Sequence, residues 1–362
     1  DENACGLLQT VTSVPPEILY SAHWYRSGTN QTMRDHLKGI ADDAVAMIEK
    51  SEARVLDIGC NDGTLLKNYP EKYLKFGVDP SDVAQEVKDD VTVIQDIFPS
   101  AELISILAGK KLDIITSIAM FYDLEDPSAF VRNIRDMLSD DGIWIFEMSY
   151  MPLMLEMNSY DTICHEHLEY YSFSVIENML ARNNMKIVKA GFNDINGGSI
   201  RCYATHENNF NYKSKNNIKS IKNIRQQEFD LELDTDKPYQ NFQNRINKHK
   251  EELSSLLKNL KSEGKSIHLY GASTKGNTIL QWCGIDHSIV DYAADRNPDK
   301  DGAKTIGTDI PIISEEKSRA MKPDYYLVLP WHFKKEFLER EKAMLDKGVG
   351  FIFPLPTIEI IR

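Results

Sequence analysis

Val55-Leu56-Asp57-Ile58-Gly59-Cys60-Asn61-Asp62-Gly63 reads as a short apolar strand running into a turn that opens a helix. Gly59 permits close approach of the backbone to a ligand, and the following helix offers its positive N-terminal end. The next strand closes as Phe76-Gly77-Val78-Asp79, which places an acid about 20 residues beyond Gly59. A doubly wound fold holds there the carboxylate that grips ribose hydroxyls. Working outward, Arg54–Ile58, Leu74–Val78, Val91–Ile94, Leu112–Ser117 and Gly142–Met148 read as strands. The first and fourth are nearly continuous apolar runs, as parallel strands covered on both faces require. Helix-like segments separate most of them, so βαβ units in a doubly wound sheet are expected. Met185–Lys189 and Ser199–Thr205, joined by Asn196-Gly197-Gly198, read as two more strands with hairpin turn chemistry. Residues 51–206 thus form one expected α/β domain.

The flanks read differently. Residues 1–50 are mixed: Pro15-Pro16 breaks the chain and Tyr20…His23-Trp24-Tyr25 follows. Met33, Leu37, Ile40, Ala44 and Ile48 then recur at helical spacing between Thr29 and Lys50. Residues 207–263 are strongly polar, with Lys213, Lys215, Lys219, Lys222 and Arg225 ahead of an acidic patch from Glu228 to Asp236. They read as a solvated helical linker, its helix marked by Phe242, Ile246, Leu253, Leu256, Leu257 and Leu260. Residues 264–362 restart an α/β pattern. Ser266–Tyr270, Ile289–Ala293, Tyr325–Leu329 and Gly350–Phe353 are strands, and Gly271-Ala272-Ser273-Thr274-Lys275-Gly276 is a glycine-bearing turn before a helix. A second, smaller Rossmann-like domain is expected.

Composition narrows the function classes. The 362 residues carry 42 Lys and Arg against 55 Asp and Glu, a formal charge of −13, which argues against a nucleic-acid polymer or an anionic membrane as partner. No apolar run reaches the roughly 18–20 residues of a membrane span, and no basic-then-apolar signal opens the chain. The five scattered cysteines contain no CxxC pair. They fit reduced cytoplasmic thiols better than a disulfide framework or a complete zinc site.

Two cofactor readings compete at the first glycine loop. A pyrophosphate cradle prefers GxGxxG, whereas this loop is Gly59-x-x-x-Gly63 with Asp57 on the strand and Asp62 in the turn. Two acids disfavour a dinucleotide and suit a cationic ligand bearing an ammonium and a sulfonium, which is S-adenosylmethionine (SAM). The stretch resembles motif I of class I methyltransferases, with Asn61 where a middle glycine is usual. Gln95-Asp96-Ile97, after the third strand, resembles the place where such enzymes contact adenine. Beyond the fifth strand comes Asp161-Thr162-Ile163-Cys164-His165-Glu166-His167-Leu168-Glu169-Tyr170-Tyr171-Ser172. His165 and His167 share a face only if the segment is extended. Zinc needs a third ligand, and HExxH spacing is absent. A structural histidine pair remains open beside the favoured reading, a general base near neutral pKa.

Cys5-Gly6-Leu7-Leu8-Gln9, Ser27-Gly28-Thr29, Asp57–Leu66, Val78-Asp79-Pro80-Ser81, Cys164–Ser172, Gly197-Gly198-Ser199-Ile200-Arg201, Tyr270–Gly276 and Leu329-Pro330-Trp331-His332 follow in order. Together they resemble the sugar C-methyltransferase family, which adds branching methyl groups to nucleotide-linked deoxysugars. The resemblance implies an N-terminal zinc domain of four cysteines, a class I methyltransferase domain and a C-terminal Rossmann-like domain. Cys5 matches the last of those cysteines; the other three have no counterpart, so residues 1–50 read as a remnant and no bound metal is expected. The chain opens without methionine, which fits a missing N-terminal part.

The resemblance also implies a nucleoside-diphosphate 4-keto-6-deoxy sugar methylated at C3. His167 would be the base, with Glu166 and His165 beside it. Asp57, Gly59, Asn61, Asp79, Asp96 and Ile97 would hold SAM. Tyr20, Tyr25, Asp123, Cys164, Asn196 and Arg201 would border the sugar, and Ser273 and Lys275 the diphosphate. Relatives often carry tyrosine at Cys164 and histidine at Asp123, so another sugar or carbon is open. An anionic acceptor must meet local positive groups such as Lys275 and Arg201. A SAM-dependent O-methyltransferase is the runner-up; an NAD-dependent oxidoreductase and a non-catalytic SAM-fold protein come behind it. A cytoplasmic monomer is expected.

Overall fold

The computed structural model describes all residues except 1–4, 13, 16–17, 20–25, 88–89 and 213. The chain divides into two compact units: Asp1–Tyr150 with His165–Asn193 and Ser199–Asp230, and Met151–Cys164 with Asp194–Gly198 and Leu231–Arg362.

In the first unit a two-residue strand β1 (Leu8–Gln9) precedes β2 (Arg54–Ile58), β3 (Leu74–Val78), β4 (Val91–Ile94), β5 (Leu112–Ile118) and β6 (Leu138–Ser149). Then come β7 (Glu169–Tyr170), β8 (Met185–Asn193) and β9 (Ser199–His206). The seven-stranded sheet has order β4-β3-β2-β5-β6-β9-β8. Its first five members run parallel, and β9 is antiparallel to both of its neighbours, β6 and β8. Val55, Leu56, Ile114 and Ile115 are fully buried, as the unbroken apolar runs of β2 and β5 require. The strand order reverses where β2 sits between β3 and β5, which opens a crevice at their carboxyl ends. A helix over Gln31–Ile48 starts on Asn30, whose side chain accepts the Thr32 N–H, and buries Met33, Leu37, Ile40, Ala41 and Ala44.

The second unit holds a sheet of order β12-β11-β10-β13-β14-β15. Its strands are β10 (Ile267–Tyr270), β11 (Tyr292–Asp295), β12 (Ile312–Ser314), β13 (Tyr325–Val328), β14 (Gly350–Phe353) and β15 (Glu359–Ile361). All pairs are parallel except β14 with β15. The sequence reading put β11 at Ile289–Ala293. Instead Ile289 and Val290 sit in a turn whose N–H groups donate to Asp286 O, and the strand begins later. The short β12 and β15 were not anticipated.

The stretch 207–263 is not a solvated linker. The helix Lys215–Asp230 groups with the first unit and buries Ile221, Ile224 and Glu228. Glu228 accepts Tyr150 Oη at 2.5 Å and caps the helix Phe173–Arg182 by taking the Phe173 and Ser174 N–H groups. The lysines, Arg225 and Asp230 of Lys215–Asp230 are exposed, while Ile221 and Ile224, a turn apart, are buried with Glu228. The next helix, Lys237–Ser262, groups with the second unit. No helix among the described residues is long and apolar enough to cross a membrane.

Candidate active site

At the carboxyl end of β2 the chain turns at Gly59, whose φ of 73° suits glycine. The Gly59 N–H donates to Val78 O at 2.8 Å, and the Asn61 N–H donates to Asp79 Oδ2 at 2.8 Å. Asp79 Oδ1 accepts Ser81 N at 2.8 Å and Ser81 Oγ at 2.5 Å. Asp79 is therefore the post on which the loop is hung. Asp57 is 3% exposed and accepts Thr116 Oγ1 at 2.6 Å. Burial, reinforced by the charge of Asp79, pushes the Asp57 carboxyl up to about 8 in spite of the Thr116 bond. A cation is the ligand that relieves such a group. Asp96 and Ile97 follow β4, and both are exposed.

The second cluster is built on the turn after β5. Met120 is the residue a Cβ on Gly59 would meet, at 3.4 Å. Two positions on, Tyr122 packs its ring on His167 with centroids 4.3 Å apart, and its carbonyl accepts the Leu168 N–H at 2.9 Å. Asp123 lies in the same turn, its N–H donating to Met120 O. His167 is buried, and its carbonyl accepts Tyr170 Oη at 3.2 Å. On the far side β1 pairs with β7, and Thr10 N–H donates to Leu168 O at 2.8 Å. The chain turns at His165-Glu166, so His165 is exposed while His167 is buried. The two histidines do not share a face; Glu166 is half-buried between them.

Arg201, expected to meet an anionic acceptor, is already engaged. Its Nε donates to Glu147 Oε2 at 2.7 Å, and Glu147 also takes His36 Nε2 at 2.6 Å and Asn193 Nδ2 at 2.9 Å. Burial would raise the Glu147 carboxyl, but His36 and Arg201 hold it below the ordinary range. Arg201 serves this buried network.

The second unit repeats the loop design. Gly271 has φ 86°, and its N–H donates to Ala294 O at 2.8 Å. Asp295 accepts Ala272 N at 2.8 Å and Asn297 N at 2.9 Å. Here lysines attend the loop: Lys300 Nζ donates to Ala272 O at 2.7 Å and lies 3.5 Å from Asp295 Oδ2. Ser273 caps the helix Thr274–Cys283, and Lys275 Nζ donates to Asn196 O at 3.2 Å. Within the same unit Asp161 Oδ2 accepts Trp331 Nε1 at 2.9 Å. Asp161 Oδ1 and His332 Nδ1 are buried with no hydrogen-bond partner among the described residues. Burial and the Lys275 charge push the His332 imidazole down to about 3, so it is neutral. Cys164 is half-buried in this unit, its N–H donating to Thr162 O. Tyr20 and Tyr25 lie outside the described residues.

Residues 27–190 match the family model of a methyltransferase domain, and residues 194–356 match that of a C-methyltransferase C-terminal domain. A relative, the C-methyltransferase NovU of Streptomyces niveus, is 26% identical over 99% of this chain and 85% of its own. With these matches the protein is a SAM-dependent methyltransferase similar to the C-methyltransferases. Among solved structures it is similar to the magnesium protoporphyrin IX methyltransferase of Synechocystis, at 16% identity and TM-score 0.40 over 49% of this chain and 88% of that one. It is also similar to a SAM-dependent methyltransferase of Clostridium acetobutylicum, at 12% identity and TM-score 0.36 over 48% and 92%.

SAM, the cofactor of such a methyltransferase, fits the first loop. A buried carboxyl raised to about 8 beside a second buried acid is a donor set for a cation bearing a ribose. The His36–Glu147–Arg201 network was missed in the sequence. Its one visible trace is Glu147, a charge inside the otherwise apolar run Gly142–Met148; its partners come from far along the chain.

Proposed function

We propose that the enzyme acts on a nucleoside-diphosphate 4-keto-6-deoxy sugar, at C3, with His167 as the base. The observation that carries this reading is the turn Ala119–Asp123. Its Met120 borders the Gly59 cradle and its Tyr122 holds His167, so one short loop fixes the cofactor site and the base in a common frame. Asp57 and Asp79 hold the ammonium and the ribose. SAM, when bound, supplies an electrophilic methyl group on a sulfonium.

A carbon beside a ketone is acidic enough to be deprotonated by an imidazole near neutrality. His167 takes that proton and the electron pair stays on the substrate as an enolate. Tyr122 against the ring limits how the imidazole can turn, and Tyr170 on the His167 carbonyl anchors its main chain. Glu166, next in sequence, tunes the base. The loop Gly271–Gly276, with Ser273 and Lys275 at the start of a helix, receives the diphosphate, for which a positive helix end and a lysine are suited.

The test is solvent deuterium exchange at carbon. Incubated in deuterium oxide with a nucleoside-diphosphate 4-keto-6-deoxy sugar and no SAM, the wild type incorporates one deuterium beside the ketone. His167→Asn loses that exchange and loses turnover by about 10²- to 10⁴-fold. Retained exchange in the variant would remove His167 from the role, and methyl transfer to oxygen would overturn C3.

A further inference from the structure

The residues Arg26–Thr29 have no part in the reaction as derived, and the side chains of Asn61 and Asp62, expected beside the cofactor, turn to them. They meet each other. Ser27 N–H donates to Asn61 Oδ1 at 3.0 Å, and Gly28 N–H donates to Asp62 Oδ2 at 2.7 Å. Arg26 forks onto Glu86, its Nε 3.0 Å and its Nη2 2.6 Å from the carboxylate. Glu86 lies in the turn Asp82–Glu86, just past the Asp79 that suspends the loop. Three successive residues are thus fastened to the two elements that frame the cofactor site, all within the first unit. Arg34 Nη1 then closes back onto Gly28 O, so the start of the helix Gln31–Ile48 moves with the segment.

The contact is close enough to demand glycine at one point. A Cβ on Gly28 would stand 2.8 Å from Asp62 Oδ2 and 2.9 Å from Thr64 Oγ1. Asp62 Oδ1 holds Thr64 N and Oγ1 at 3.1 and 2.6 Å, so one carboxylate braces the loop with one oxygen and the segment with the other. Asn61 has φ 50°, a conformation that asparagine tolerates better than most residues, and its side chain supplies the second acceptor. A middle glycine at this position would keep the backbone and lose the acceptor.

We propose that Asn61 and Asp62 are positioning residues that latch the segment Arg26–Thr29 onto the cofactor loop, so that SAM binding and closure of the segment are energetically coupled. SAM fixes the loop 59–63, and a fixed loop presents its two side-chain acceptors at constant spacing. The segment then loses less freedom on docking. By reciprocity, a docked segment strengthens SAM binding by the same factor. The latch depends on the cofactor assignment alone and not on which acceptor is methylated.

Amide hydrogen exchange of the full chain, read by mass spectrometry with and without saturating SAM, tests it. Peptides containing Ser27 and Gly28 gain protection in the wild type when SAM is added. Gly28→Ala, whose Cβ wedges against the Asp62 and Thr64 side chains, abolishes that gain and weakens SAM binding by about five- to tenfold in calorimetry. Asn61→Gly, which keeps the positive φ, does the same if Gly28→Ala folds poorly. Gly39→Ala on the helix Gln31–Ile48, where a Cβ meets nothing within 4 Å, behaves as wild type. Unchanged protection of Ser27 and Gly28 on adding SAM overturns the proposal. So does wild-type SAM affinity in Gly28→Ala and Asn61→Gly.

Discussion

The two glycine loops use one lock and opposite charges. In each, a glycine N–H donates to the strand-end carbonyl next door, Gly59 to Val78 and Gly271 to Ala294. An acid one residue past that carbonyl then takes a loop N–H, Asp79 from Asn61 and Asp295 from Ala272, each at 2.8 Å. The other carboxylate oxygen takes the N–H two residues on, Ser81 or Asn297. The difference lies in what surrounds the lock. Two residues before Gly59 stands the buried acid Asp57; two before Gly271 stands the buried Leu269. Near the second loop stand Lys275 and Lys300, the latter 3.5 Å from Asp295. The lock is thus a property of the strand–loop–strand architecture, while the side chains around it differ in charge: buried acids in the first unit, lysines in the second.

The largest expected break comes from Asp57→Asn, which removes the charge and keeps the shape. SAM binding falls by about 100-fold or more in calorimetry, the cost of an unpaired buried cation, whereas Asp295→Asn leaves it within about twofold. The same carboxyl gives a pH signature. Its pKa is raised to about 8 in the empty protein, and a cation favours the ionised form. Below that pH the ligand must expel a proton, so affinity rises with pH, by up to about tenfold per unit, and levels off above it. Calorimetry in buffers of different ionisation heat registers the released proton, and the Asp57→Asn variant loses it. Flat affinity across the range with no proton release would refute the assignment.

Next in size is a stability contrast. A Cβ on Gly271 would lie 2.9 Å from the Pro330 ring at φ 86°, whereas on Gly59 it would meet the flexible Met120 at 3.4 Å. Gly271→Ala should cost about 2–3 kcal/mol and Gly59→Ala about 1–2, read as denaturation midpoints at constant slope. Equal costs would mean that the proline wall yields. The smallest effect is on the lysine side: Lys275→Ala raises the acceptor KM about 10- to 30-fold with SAM affinity unchanged. A KM that does not move would place the diphosphate elsewhere.

Much of the first unit was legible, because parallel strands buried on both faces write themselves as unbroken apolar runs such as Val55–Ile58 and Ile114–Ile115. β11 was misplaced because the apolar pair Ile289-Val290 is buried in a turn, and burial alone does not distinguish turn from strand. The polar stretch after Thr205 misled for a related reason: Ile221 and Ile224 bury one face of a helix whose composition is mostly polar.

By itself, then, the sequence determined the chemistry offered at each loop: acids around Gly59, a lysine beside Gly271, and a histidine motif after the fifth strand of the main sheet. Periodicity and turn residues are local, and they can be read one segment at a time. Tertiary structure decided which of those groups are still available. It turned His165 outward and His167 inward, spent Arg201 on Glu147 and His36, and tied Asn61 and Asp62 to Ser27 and Gly28. Those outcomes depend on partners brought together from tens to more than a hundred residues apart, and on burial that makes each unpaired charge costly. Neither is written in the spacing of any one segment.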